Sequence, residues 1–234
     1  MAARSMAAPM QDSRRAARAD AYENPRPELQ RHVPAGAQRV LDLGCASGAL
    51  GAALKARGAY VVGVEADPAY AARARERLDQ VVEADLETLD PAPLGRFDVL
   101  VAGDVLEHLQ DPWTVLRRFA ELVEPGGAVV VSLPNVRHWE TVFAIAVQGR
   151  FPRRNEGVFD ATHLRWFTLH DAWSLVEQAG LEVEEVERRI RYRRAGGAKE
   201  TPTARLIARV PGPRAFLTYQ HIIRARKLTS SERT

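Results

Sequence analysis

Residues Val40 to Leu54 read VLDLGCASGALGAAL, and this stretch decides the fold. A short apolar run passes through a glycine-containing turn directly into an alanine- and leucine-rich helical pattern. Such a strand–turn–helix lets a ligand approach the backbone closely, and the helix start presents N–H groups with no partner inside the helix. Dinucleotide enzymes share a glycine turn of this kind, with the fingerprint G-x-G-x-x-G. Here the glycines are Gly44, Gly48 and Gly51, and position 46 is alanine. Asp42 stands two residues before the first glycine. A negative charge at a strand end suits a cationic ligand better than a pyrophosphate.

Outward from this stretch, short β-branched runs alternate with helical patterns. RVLDLG (39–44), YVVGVEAD (60–67), QVVEAD (80–85), FDVLVAGD (97–104) and GAVVVSLP (127–134) read as strands. LGAALKAR (50–57), PAYAARARERL (68–78) and PWTVLRRFAELV (112–123) read as the helices between them. Buried apolar strands separated by amphipathic helices predict a parallel sheet wound on both faces. Gly58 after the first helix and Pro68 and Pro112 at later helix starts fit that division. After Pro134 the pattern changes. HWETVFAIAVQG (138–149) reads as an apolar helix, FPRRNEGVFDATHLRWFT (151–168) as irregular, and LHDAWSLVEQAG (169–180) as a helix. LEVEEVERRIRY (181–192) alternates as a half-exposed strand, GGAKETP (196–202) reads as a loop, and AFLTYQHIIRARK (215–227) as a last strand beside it. The expected architecture is α/β, Rossmann-like and doubly wound, with a mainly parallel seven-stranded sheet. Residues 21–228 are expected to form one domain with an insertion over 136–168, between tails over 1–20 and 229–234.

Acids recur where such sheets bind ligands, at the C-terminal strand ends. Asp42 ends the first strand and Glu65 the second, about twenty residues beyond the turn, where an acid can accept from both ribose hydroxyls. Asp85, with Leu86 beside it, ends the third, and Asp104 the fourth. The series VLDLGCASG, GVEAD, EADLE and DVLEHLQDP, then LVEPGGAVVVSLPN, resembles the motif order of class I S-adenosylmethionine-dependent methyltransferases. The resemblance runs from Tyr22 to Lys227. YENPRPEL and the stretch from PNVRHW to THLRWFT are also similar to bacterial methyltransferases of glycosylation and secondary-metabolite gene sets, and to MetW-type proteins. The resemblance implies S-adenosylmethionine as cofactor and S-adenosylhomocysteine as product. It places Asp42, Gly44, Cys45, Ala46 and Gly48 on the methionyl part, and Glu65 with Ala66 on the ribose. Asp85 and Leu86 take the adenine, and Asp104 lies beside the sulfonium region. Tyr22 and Arg26 would close over the cofactor, Arg26 as a partner for its carboxylate. The family turn usually has glycine or serine where Ala46 stands, and the added methyl is tolerable there if the backbone angles are ordinary.

Bulk properties restrict the alternatives. The chain has 234 residues, is 46% hydrophobic and 27% charged, and carries a net charge of +3. That composition is globular, and no apolar run reaches the roughly 18 residues of a membrane span. One cysteine, Cys45, rules out an internal disulfide and makes a cytoplasmic location the default. Arginines crowd the last fifth of the chain, which reads as a solvated or homodimer face more readily than as a nucleic-acid footprint, because few aromatics accompany them.

Methyl transfer to a hydroxyl requires loss of a proton, so a base is sought. His108 follows the fourth strand and ranks first; His163 and His138 come next. No Cys/His/Asp spacing typical of a metal site occurs. The segment NEGVFDATHLRWFT (155–168) supplies Asp160, Arg165 and Trp166 as acceptor-binding candidates, with Arg153 and Arg154 nearby. The leading expectation is a small-molecule methyltransferase, directed at oxygen rather than nitrogen, on a sugar-derived or secondary-metabolite acceptor. A MetW-like partner protein, a nucleic-acid methyltransferase and a nicotinamide dehydrogenase are the competing readings.

Overall fold

In the computed structural model, which describes residues 22–190, 210–229 and 232, the sheet grows outward from β1 (Arg39–Leu43). β1 pairs in parallel with β2 (Tyr60–Glu65) on one side and β4 (Phe97–Gly103) on the other. β3 (Gln80–Glu83) extends the sheet beyond β2, and β5 (Val123–Pro134) beyond β4, both in parallel. With β6 over Leu181–Ile190 and β7 over Thr218–Lys227, the full order is β3-β2-β1-β4-β5-β7-β6. The strand order therefore reverses between β1 and β4, and a ligand crevice opens at their C-terminal ends. The expected tail 1–20, the loop 196–202 and the last two residues of the strand read over 181–192 lie outside the described residues.

Both sheet faces are covered, as the apolar runs predicted. Leu41, Leu43 and Leu100 pack with Leu116 and Phe119 of α4 (Pro112–Ala120) and Leu175 of α6 (Leu169–Gln178). Val40, Val61, Val99 and Val101 pack on the other side, with Leu50 and Leu54 of α2 (Ala49–Lys55). Local chemistry sets the helix starts. Asp67 accepts from Ala69 N at 2.9 Å to open α3 (Pro68–Arg75), with Pro68 in the first turn. Asp111 does the same for α4 through Thr114 N at 3.0 Å. Thr168 and Asp171 form a reciprocal capping box on α6. Before these helices, residues Tyr22–Arg26 lead into α1 (Pro27–Gln30) across the crevice.

The C-terminal third departs from the sequence reading. β7 (Thr218–Lys227) lies antiparallel between β5 and β6 (Leu181–Ile190), so β6 is the edge strand. Its dense Glu/Arg pattern protects that edge, and pairs such as Arg226–Glu182 at 2.7 Å tie it to β7. Ala215 to Leu217, read as the start of the last strand, instead end α7 (Pro211–Leu217). Two prolines near its start pre-set helical φ, and Thr218 closes it by donating to Arg214 O at 2.8 Å. The helix read over 138–149 is α5 (Trp139–Ala146), which stops before Gly149 takes φ 62°.

The glycine turn after β1 is packed against β2. A Cβ placed on Gly63 would meet Cys45 Sγ at 2.5 Å and Leu78 Cδ1 at 2.7 Å. Gly63→Ala therefore overpacks the contact between β2 and the turn. We expect a loss of about 1–3 kcal/mol in stability, read by thermal or denaturant unfolding. A melting curve unchanged within error would show that the turn shifts freely.

Candidate active site

The crevice at the β1/β4 reversal is a cleft of about 1110 Å³. Its floor is the turn after β1. Gly44 N and Cys45 N both donate to Val64 O, at 2.9 and 3.1 Å, which hangs the turn on the end of β2. Gly44 has φ 67° and a Cβ there would meet Val105 Cγ2 at 2.6 Å, so only glycine fits. Gly48, with φ 79°, is the N-cap residue of α2 and does not itself line the cleft. Ala46 does not meet the condition of ordinary angles, since its φ is 47°. Arg26 and Asp104 both have φ 54°, so all three non-glycine residues with positive φ among those described border this one cleft. Strained backbone of this kind persists where the surroundings over-determine it, and it clusters at ligand sites.

The four acids sit differently. Asp42 is 3% exposed, and its Oδ2 has no hydrogen-bond partner. Burial, opposed by the charge of Arg26 and reinforced by Glu65, pushes its carboxyl up to about 7. Glu65 is fixed by backbone donors: Ala46 N on Oε2 at 2.9 Å and Asp67 N on Oε1 at 2.8 Å. Burial raises its pKa against those bonds. Each oxygen keeps a second lone pair toward the cleft. Asp85 is exposed and Leu86 buried, side by side at the cleft wall with Ala66 across from them. Asp104 is the centre of a network. It pairs with Arg26 at 2.9 Å, and accepts from Ser132 Oγ at 2.7 Å and Gln220 Nε2 at 2.6 and 2.9 Å. Burial alone would raise its carboxyl, but Arg26 and these hydrogen bonds hold it below the usual range. Arg26 is held in turn by Glu28 at 2.8 Å, which also pairs with Arg189 at 2.8 Å. Tyr22 lies edge-on to Tyr70 at 4.7 Å, and its carbonyl accepts from Ser47 Oγ at 2.5 Å. Burial pushes the Cys45 thiol far up, so it packs and does not attack.

The insertion forms the other wall. Val136 N donates to Phe167 O at 2.9 Å, closing its base. Leu164 N and Arg165 N both donate to Glu107 O, at 2.9 and 3.0 Å, which folds the segment back onto the turn after β4. His108, His138, Asp160 and His163 all line the cleft. The His108 and His163 rings meet edge to face at 4.7 Å. His108 Nδ1 lies 3.0 Å from Thr162 Oγ1, which donates to Asp160 Oδ1 at 2.8 Å. His163 Nδ1 lies 3.2 Å from Val158 O, and its Nε2 lies 3.8 Å from Glu107 Oε1. His138 precedes α5 and is buried.

Two candidates fall elsewhere. Arg165 turns outward, donating to Leu164 O and Gln110 O, because its backbone N–H is committed to Glu107. Trp166 is 42% exposed and reaches Val158 O at 3.3 Å from behind the wall, with Phe151 on its ring at 5.3 Å. Neither lines the cleft. Of the two neighbouring arginines, Arg154 does line it, 3.7 Å from Glu140 and over Phe159, while Arg153 is exposed.

Glu107, which no sequence pattern singled out, also lines the cleft. It is 1% exposed, neither carboxylate oxygen accepts a hydrogen bond, and burial and then Asp104 push it well above the usual carboxylate range. One nitrogen or oxygen from each of Glu107, His108 and His163 lies within 4.8 Å of the others, close enough to surround a cation. Ser132 and Gln220 were missed as well, although Ser132 is the one hydroxyl in the run AVVVSL.

The residues present fit S-adenosylmethionine. An unpartnered buried carboxylate at the end of β1 is the complement of an ammonium, and the fixed Glu65 carboxylate suits a ribose diol. Comparison with known proteins agrees. The methyltransferase domain family matches residues 8–186. A ubiquinone biosynthesis O-methyltransferase of Pseudomonas aeruginosa (strain LESB58) is 33% identical over 159 residues, which are 64% of this chain and 66% of that one. Its counterpart in Azotobacter vinelandii is 38% identical over 113 residues, 46% of this chain and 49% of that one. The chain thus spans about half to two thirds of the length of these curated relatives. A SAM-dependent methyltransferase structure from Thermotoga maritima superposes with a TM-score of 0.62 at 18% identity, covering 94% of this chain and 95% of that one. The chain belongs to the methyltransferase domain family and shares the fold of S-adenosylmethionine-dependent methyltransferases.

Proposed function

We propose that the protein methylates a hydroxyl oxygen on a small sugar-derived or secondary-metabolite acceptor held under the 136–168 insertion. The observation that carries this reading is the cluster of Glu107, His108 and His163, buried at Glu107, in the cleft that Asp104 also lines. An alcohol or phenol must lose a proton as the new bond forms, and a neutral amine needs no such group. The relatives named as O-methyltransferases support oxygen as the acceptor atom.

When bound, S-adenosylmethionine supplies an electrophilic methyl on its sulfonium. Asp42 would hold the ammonium, Glu65 the ribose hydroxyls, and Asp85 and Leu86 the adenine. Asp104 and Arg26, paired at 2.9 Å, would lie beside the methionyl part. His108 takes the acceptor proton, and Asp160, Thr162 and His163 hold its ring in place. The insertion excludes water and orients the acceptor, which is the larger share of catalysis in an in-line displacement.

Conversion of S-adenosylmethionine to S-adenosylhomocysteine across a panel of hydroxylated sugars and phenols tests this reading. Turnover with a hydroxyl acceptor supports it; turnover with amines alone overturns it. Dialysis against a chelator should leave turnover unchanged. Loss on chelation with rescue by magnesium would assign the cluster to a cation and not to a proton.

A further inference from the structure

α5 is built inside out. Its buried residues are Thr141 and Ala144, and Glu140 and Thr141 line the cleft. Its exposed residues are Val142, Phe143, Ile145 and Ala146, followed by Val147, which is 69% exposed. At 100° per residue these span one continuous arc opposite Thr141 and Ala144. α4 shows the usual arrangement, with Val115, Leu116 and Phe119 buried and Arg117 exposed. Phe151, 46% exposed, carries the apolar surface on to Trp166. A contiguous apolar patch of this kind on a water-facing helix marks an interaction surface.

The surroundings indicate the partner. Arg137, Arg150 and Arg153 are exposed around the arc, and Arg137 sits over the ring of the part-exposed Phe216 at 5.3 Å. The nearby acids are Glu140, which faces the cleft beside Arg154, and the exposed Glu156. The helix has eight residues, so the arc is about 12 Å long and about 10 Å wide. That is far less than the roughly 800 Å² per partner of a stable protein interface. A few large apolar side chains ringed by arginine are what an interfacial helix needs to enter the headgroup layer of an anionic bilayer. No described helix is long and apolar enough to cross a membrane. We propose that the outer face of α5, with Phe151, docks on an anionic lipid surface and sets the mouth of the cleft beside it.

Co-sedimentation of the full chain with phosphatidylcholine vesicles, with and without about one third phosphatidylglycerol, tests this docking. Binding should require the anionic lipid and weaken as salt rises. The double variant Phe143→Glu/Val147→Glu should lower partitioning about tenfold or more. Its S-adenosylhomocysteine affinity should stay at the wild-type value, which shows that it folds. Absence of binding to either vesicle, or equal binding by the variant, overturns the proposal. So does a wild-type dimer in light scattering that the variant converts to monomer, since a second copy would then cover the face. None of these outcomes bears on the acceptor atom.

Discussion

Asp42→Asn should weaken S-adenosylmethionine binding by about 100-fold, about 2.7 kcal/mol, and at the same time stabilise the free protein above neutral pH. Both effects arise from one carboxylate, buried at 3% exposure with an unpartnered oxygen. Leaving a charged group buried without its partner costs several kcal/mol, and a bound ammonium removes that cost. The sign of the pH effect follows from the raised pKa. With Asp42 at about 7 when folded and 3.8 as its ordinary value, the folded state holds the extra proton between those limits. Stability is therefore greatest below about pH 4 for this group, and it falls as pH rises through 7. At most about 4 kcal/mol is lost in that window. Saturation with S-adenosylhomocysteine should flatten the slope, and Asp42→Asn should abolish it. Glu65→Ala should also weaken binding strongly, and it strands the Ala46 and Asp67 N–H groups, so it destabilises the free protein. Calorimetric titration with cofactor, beside melting curves from pH 5 to 8, measures all of this. Wild-type affinity in both variants would remove the cofactor from this site.

The cofactor half was legible because its signals are local. A charged residue before a glycine turn, and acids ending successive apolar strands, each follow from a few neighbouring residues. Their shared location follows from the winding rule for parallel sheets. Ala46 shows the limit even there: alanine gives no sign that its φ will be 47°, because the demand comes from Val64 O and Glu65 gripping the turn from β2. The acceptor half depends on contacts that no spacing encodes. Glu107 follows Leu106 in an apolar turn and reads as a surface charge until Leu164 and Arg165 fold back onto its carbonyl. The same fold-back turns Arg165 outward and puts Trp166 behind the wall. Gln220 reaches Asp104 because β7 enters antiparallel beside β5, an order set by tertiary pairing across more than 100 residues of chain. The alternation in LEVEEVERRI identified β6 as half-exposed, but its place at the edge depended on where β7 would go.

His108→Ala should lower turnover by about 10²- to 10⁴-fold, the usual contribution of a positioned base, while cofactor affinity stays within about threefold. The split is expected because His108 sits with Thr162 and His163 on the acceptor wall, away from the β1 turn and Glu65. Glu107 makes a sharper test. Burial and then Asp104 raise its carboxyl well above the usual carboxylate range, and its Oε1 lies 3.8 Å from His163 Nε2. The proton that His108 takes from the acceptor leaves a positive charge on the histidine pair, which a Glu107 carboxylate would stabilise. Glu107→Gln keeps the shape and loses the anion. Turnover should fall with little change in cofactor affinity, and the acidic limb of the pH profile should move to lower pH, because a neighbouring anion raises a histidine pKa. Loss of turnover with an unmoved limb would make Glu107 a packing residue of the turn. Normal turnover in His108→Ala would pass the proton to His163 or His138, and the corresponding alanine variants then decide between them.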